Sequence, residues 1–105
     1  MLVVKQVEAA YPYQLAYECL NNGQTVGRLV ARLTPDGLLE AALEDTVQRE
    51  AGRTLVGKLE RDAQANGLPG LYVLARDERE RDTFLPAGYD PVEEGSLRLV
   101  KRFTR

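Results

Sequence analysis

The chain predicts a single α/β domain spanning all 105 residues: a mixed, mostly antiparallel sheet of about six or seven strands with two helices. Three observations predict it. Gln14–Leu20 and Thr25–Leu33 flank Asn21-Asn22-Gly23-Gln24, and Asn-Gly, which tolerates positive φ, is the strongest local hairpin signal. An amphipathic stretch, Gly52–Asn66, stands between a candidate strand at Leu38–Glu44 and the apolar run LYVLA at Leu71–Ala75, the order of a parallel pair joined by a helix. A short charged helix and a closing hairpin follow.

Taken in order, Leu2–Val7 carries valines and reads as a first strand, broken by Tyr11-Pro12-Tyr13 because proline removes a ladder donor and restrains its neighbour. In Thr25–Leu33, Leu29, Ala31 and Leu33 alternate with Arg28, Val30 and Arg32, the mark of a half-buried surface. Pro35-Asp36-Gly37 makes the next turn. Leu38–Ala51 is ambiguous. Its residues are good helix formers and Leu39, Leu43, Val47 and Ala51 fall at i, i+4, so local signals favour a helix. As a strand it would set Leu39, Ala41 and Leu43 on one face and Glu40 and Glu44 on the other, and the tight turn before it favours antiparallel continuation.

In Gly52–Asn66, Leu55, Val56, Leu59 and Ala63 form an apolar stripe; Gly67 supplies a left-handed stop and Pro69 prevents continuation. LYVLA has too few polar residues for a half-exposed strand and suits a central one. Asp77–Phe84 is a charged helix with Asp77 as N-cap, and its mixed-sign run from Arg76 to Asp82 suits a solvated, salt-bridged surface. Pro91–Glu93 and Leu97–Phe103 form a last hairpin across Glu94-Gly95-Ser96.

Composition narrows the function. No apolar run approaches the ~20 residues that cross a bilayer, and the N-terminus is too short and too charged for a signal peptide. A lone cysteine, Cys19, cannot build a disulfide framework and suits a reducing cytoplasm, where it reads as a small buried hydrophobe. Without histidine there is neither a zinc set nor a Cys–His nucleophile, so no metal is expected, although a carboxylate site for a hard cation stays open. A net charge of −2 predicts no nucleic-acid partner. The basic end, Lys101, Arg102 and Arg105, reads as solvated.

Two motifs remain. Gly52-Arg53-Thr54-Leu55-Val56 opens the long helix, and FLPAGY, Phe84–Tyr89, closes the short one. With the order of elements from Leu38 to Tyr89, they resemble the acyl-CoA-binding half of the GNAT superfamily of N-acetyltransferases. The resemblance covers about two-thirds of the chain and also favours the strand reading of Leu38–Glu44. It implies that the turn after the fourth strand and the following helix N-terminus hold a pyrophosphate on backbone N–H groups. The motif R/Q-x-x-G-x-G/A places Val47 where Arg or Gln is usual, Glu50 at the first glycine and Gly52 at the last. A second register reads Arg49, Gly52 and Thr54 instead. The span Val47, Gln48, Arg49, Glu50, Ala51, Gly52, Arg53 and Thr54 is thus the implied cofactor loop, with Glu50 set against an anion. Counted back from Gly88-Tyr89, Asp77 takes the place of a usual Asn and Phe84 that of a tyrosine which commonly protonates the departing thiolate, a proton phenylalanine lacks. The acid is then water or another hydroxyl, for which Tyr72 and Tyr89 are candidates, and Glu44, with Glu40 beside it, is the implied base.

The resemblance implies an acetyl-CoA-dependent N-acetyltransferase whose partners are the CoA thioester and an amine acceptor; the alternative is a non-catalytic GNAT-like interaction domain with weak or lost CoA binding. It also marks a departure: the usual N-terminal helix pair has no room in Glu8–Tyr13. Uncovered apolar sheet near Tyr11, Tyr13, Leu15 and Tyr17 would then favour a homodimer.

Overall fold

The computed structural model describes residues 1–103, so Arg105 lies outside the described residues. Strands β1 (Leu2–Val7), β2 (Leu15–Asn21), β3 (Gln24–Leu33) and β4 (Leu39–Glu44) form an antiparallel run. Helix α1 (Arg49–Ala65) then carries the chain to β5 (Gly70–Leu74), which lies parallel to β4. Helix α2 (Glu78–Phe84) and a 3₁₀ turn (Leu85–Ala87) lead to β6 (Asp90–Pro91) and β7 (Arg98–Arg102). Among the described residues the seven strands form one sheet in the order β1-β2-β3-β4-β5-β7-β6.

Local chemistry explains most joints. Asn22 and Gly23 both have positive φ, as a two-residue turn matched to strand twist requires. The β3–β4 turn is closed by Thr34, whose N–H donates to the Leu38 carbonyl at 2.7 Å and whose Oγ1 accepts from Leu38 N at 3.2 Å. At the end of α1, Gly67 takes φ 75° while Leu68 N donates to the Ala63 carbonyl at 3.0 Å, the six-to-one bond of a Schellman stop.

The ambiguous segment splits. Residues through Glu44 are strand, paired in register with β3, and the helix begins at Arg49, three residues before the predicted Gly52. The i, i+4 apolar series is therefore divided: Leu39 and Leu43 belong to β4, Val47 to the connection and Ala51 to α1. Its strand half is claimed by ladder bonds to β3, which helix propensity cannot supply. In the last hairpin the short strand is Asp90–Pro91 rather than Pro91–Glu93. Asp90 and Pro91 pair with Val100 and Leu99, and the chain then turns away through Glu93-Glu94-Gly95-Ser96.

Both helices lie on one face of the sheet. Leu55, Val56, Leu59 and Ala63 of α1 and Phe84 of α2 share a core with Tyr17, Leu29, Ala41, Leu43, Leu71, Val73 and Leu99, and burial of each large apolar side chain contributes about 1.5–3 kcal/mol. Polar ties reinforce it: the Tyr17 hydroxyl donates to Asp62, which also accepts from Lys58 Nζ at 3.0 Å, and Lys101 Nζ pairs with Glu60 at 2.6 Å. Among the described residues the opposite face carries no helix. It holds a cross-strand row of alternating charge, Lys5, Glu18, Arg28 and Glu44, of the kind that steadies a sheet.

The apolar patch expected around the tyrosines does not form. Tyr17 is buried against α1, Leu15 is partly buried on the core, and Tyr11 alone of the four stands open, 98% exposed. Strand alternation puts Tyr17 on the helix-covered face, which the segment's composition does not reveal.

Two glycines make opposed predictions for stability. A Cβ at Gly70 would lie 2.4 Å from the Lys101 carbonyl oxygen, so Gly70→Ala should destabilise by about 2 kcal/mol or more. A Cβ at Gly57, inside α1, would meet only the end of Arg61 at 3.9 Å, so Gly57→Ala should stabilise by about 0.5–1 kcal/mol. Urea titration measures both. Hydrogen bonding from Tyr17, and then from Lys58, outweighs burial and lowers the Asp62 pKa. Stability from this group is therefore present above the ordinary carboxylate pKa of about 4 and lost as pH falls through the depressed folded value. Tyr17→Phe should flatten part of the acid limb of a stability–pH curve.

Candidate functional site

Strands β4 and β5 pair from Leu39↔Leu71 to Ala42↔Leu74 and then part. Beyond that point Leu43 and Glu44 stay with β3, while Ala75 N turns the other way to the Leu97 carbonyl at 2.8 Å. The separation opens a crevice of about 270 Å³. Crevices outside the carboxyl ends of parallel strands are the usual ligand sites of α/β sheets.

One lip is Leu43, Thr46, Val47, Gln48, Arg49 and Gly52; the other is Arg76, Asp77, Arg79, Glu80, Thr83 and Phe84. The first lip includes the start of α1. Its N-cap, Gln48, is extended and makes no side-chain capping bond, and the first helical bond in this turn runs from Gly52 N to the Gln48 carbonyl at 3.3 Å. The N–H groups of Arg49, Glu50 and Ala51 therefore lack helix partners, and the helix dipole adds to their attraction for an anion. Gly52 brings this turn close to the sheet: a Cβ there would sit 3.0 Å from Leu43 Cδ1. At Gly27 of β3 a Cβ would meet Thr46 Oγ1 at 3.0 Å. The two glycines thus make the space into which Thr46 fits.

The implied cofactor residues separate into groups. Val47, Gln48, Arg49, Gly52, Asp77 and Phe84 line the crevice. Glu50, Arg53 and Thr54 face a second groove of about 700 Å³ between α1, Leu2 and the segment from Phe84 to Tyr89, so the Glu50 side chain is not the obstruction its place in the motif suggests. Ala51 is buried in the packed face of α1. The Asp77 carboxylate caps α2, accepting from Glu80 N at 2.8 Å.

Glu44 does not line the crevice. It is half-buried on the open face opposite Arg28, and no ion-pair or hydrogen-bond partner engages its carboxylate among the described residues. Glu40 is at the other end of β4, clamped by Arg32 Nη2 at 3.1 Å and Arg98 Nε at 2.8 Å. The tyrosines are no better placed. Tyr72 donates to Asp36 at 2.6 Å, and that bond raises its pKa. Tyr89 is buried behind Phe84, their rings edge to face at 5.9 Å; burial, and then the charge of Glu60, push its phenol far up. Neither tyrosine lines the crevice.

Six crevice residues were not among the site residues the sequence pointed to: Leu43, Thr46, Arg76, Arg79, Glu80 and Thr83. Arg76 and Glu80 have i, i+4 spacing inside what reads as a solvated charge run, yet the Glu80 side chain is only 11% exposed. Their sequence signal is indistinguishable from an ordinary surface pair.

No family model matches the sequence, and no curated protein matches it. Solved structures do match. An IAA acetyltransferase from Bacillus cereus superposes with a TM-score of 0.76 at 14% identity, covering 98% of this chain and 100% of that one. The AtaT–AtaR complex bound to DNA gives 0.72 at 17% identity, covering 96% and 94%. A Bacillus anthracis protein described as a streptothricin acetyltransferase, in complex with acetyl coenzyme A, gives 0.67 at 18%, covering 93% and 70%. At these identities the likeness is one of fold, and the chain has the GNAT acetyltransferase fold. The DNA-bound complex overturns the expectation of no nucleic-acid partner. Net charge weighs only a chain's own surface, whereas an assembly can meet DNA through another component.

The glycine contact at the crevice is testable without a ligand. Gly52→Val should push α1 from Leu43 and Thr46 and lower stability by about 1–3 kcal/mol, read by urea denaturation.

Proposed function

We propose that the crevice binds acetyl-CoA and that the chain transfers its acetyl group to an amine. The observation that carries this reading is the uncapped N-terminus of α1 at the opening between β4 and β5. The chain fits the cofactor there: Gly52 lets the helix approach without a side chain in the way, and the N–H groups of Arg49, Glu50 and Ala51 with the Arg49 side chain suit a pyrophosphate. When bound, acetyl-CoA supplies the acetyl group as a thioester.

The acceptor amine reaches the crevice from the open face, because α1 and α2 cover the other. Glu44 stands on that face without a partner, and it attracts an ammonium group and takes its proton, directly or through water. Among the described residues, no side-chain hydroxyl at the crevice is free to protonate the departing thiolate. Phe84 has none, Tyr89 is sealed behind it, Thr46 Oγ1 donates to the Glu44 carbonyl at 3.1 Å, and Thr83 Oγ1 donates to the Arg79 carbonyl at 3.1 Å. A well-placed general acid contributes about 10²–10⁴-fold, so turnover should be slow.

That absence, with a helix-free acceptor face, favours a second reading: a domain that binds CoA without catalysis, or interacts with another protein. Calorimetry with acetyl-CoA, followed by product analysis with an amine, separates the two. The enzyme reading expects saturable binding, slow transfer, and transfer further reduced at least tenfold by Glu44→Gln at unchanged affinity. Binding with no transfer leaves the non-catalytic reading, and no binding removes the cofactor site. Because its side chain faces the second groove, Glu50→Gly should change CoA affinity by less than about threefold (~0.6 kcal/mol).

A further inference from the structure

Arg76 occupies a position that the proposed acyl transfer does not explain. It leaves the end of β5 and reaches across the gap to β4, donating through Nη2 to the Thr46 carbonyl at 3.1 Å. Its Nε donates to Glu80 Oε2 at 2.8 Å, and its own backbone N–H donates to Glu80 Oε1 at 3.0 Å. One guanidinium therefore joins both lips of the crevice at the point where the backbone ladder has stopped. A lysine would not reproduce this, since only a planar fork presents several donors in fixed directions.

The surrounding charge is not balanced. Arg49, Arg76 and Arg79 line the crevice against Asp77 and Glu80. Asp77 is used as a cap and Glu80 holds Arg76, while Arg49 and Arg79 have no ion-pair partner among the described residues. The α1 N-terminus adds positive potential to the same opening. The Arg76 side chain is 45% exposed, so it can exchange a neutral carbonyl for a stronger, charged acceptor without crossing the core.

We propose that Arg76 is an anion-selecting latch: with the crevice free it ties Thr46 to α2, and a ligand diphosphate takes the place of the Thr46 carbonyl. The exchange releases that carbonyl to hydrogen-bond the ligand and opens the span between the lips. A thiol arm without the diphosphate gives the latch nothing to exchange for, so it meets the closed form. Arg76 is thus a specificity residue for the anionic part of the ligand. The inference rests on the reading that the crevice binds acetyl-CoA.

The test is calorimetry on the full chain with two probes, CoA and pantetheine, which share the thiol arm and differ in the diphosphate. Arg76→Ala should weaken CoA about tenfold or more while leaving pantetheine unchanged or tighter. Glu80→Gln, which frees the guanidinium but keeps an acceptor for the Arg76 N–H, should tighten CoA and leave pantetheine alone. It also provides the measurement if Arg76→Ala does not fold. Equal weakening of both probes in either variant makes Arg76 a strut and overturns the latch, as does unchanged CoA affinity in Arg76→Ala. If the natural chain binds CoA and the variants show no selectivity, the latch alone falls; if the natural chain binds neither probe, the crevice reading falls with it.

Discussion

The contact between the first turn of α1 and the end of β4 governs where the site lies. Thr46 is buried between Gly27 of β3 and Gly52 of α1, with Leu43 and Leu55 beside it. Packing at native density leaves no slack for an added methyl group at such a contact. Because both glycines lack a side chain, the helix starts close against the sheet. Its unpaired N–H groups then come to the edge of the gap between β4 and β5, rather than out into solvent. The same contact fixes the chain direction at Thr46 and so the carbonyl that Arg76 engages.

The two ends of the β4–β5 pair are treated in opposite ways. At the amino end, backbone pairing is reinforced on the open face by a charged network. Glu40 is held by Arg32 and Arg98, Arg98 lies 3.8 Å over the Tyr72 ring, and Tyr72 reaches Asp36 in the β3–β4 turn. Both Glu40 oxygens are engaged, which offsets the desolvation cost of a buried carboxylate that would otherwise be severe. At the carboxyl end backbone bonding lapses and one arginine spans the lips. The sheet is therefore closed where it needs strength and separable where a ligand would enter. The proposed acceptor approach uses the same open face, whose nearest carboxylate to the parted strands on β4 is the unengaged Glu44.

Much of the fold was legible because its signals are local. Asn22-Gly23 specified the first hairpin, the stripe Leu55, Val56, Leu59 and Ala63 specified α1, Gly67 its end, and LYVLA a strand buried in the middle of the sheet. The site was partly legible for the same reason: a glycine at a helix start and a phenylalanine in place of a tyrosine are properties of single positions. Glu50 misled because a motif register counts residues along the chain, whereas a helix turns each successive side chain by about 100°, carrying this one to the other groove.

The sequence by itself determined the element order, the turns, the apolar face of α1 and the lack of a hydroxyl at Phe84, since each follows from residue type, spacing or backbone preference within a short window. Only the tertiary structure decided that the strand ends at Glu44 and the helix starts at Arg49, that Tyr17 turns inward, and that Glu40 and Glu44, four residues apart on one strand, have opposite fates. It alone brought Arg76 to Thr46, thirty residues away along the chain. Those outcomes depend on which distant groups complete a hydrogen-bond ladder or an ion pair, and a one-dimensional pattern carries no distance between residues that meet only after folding.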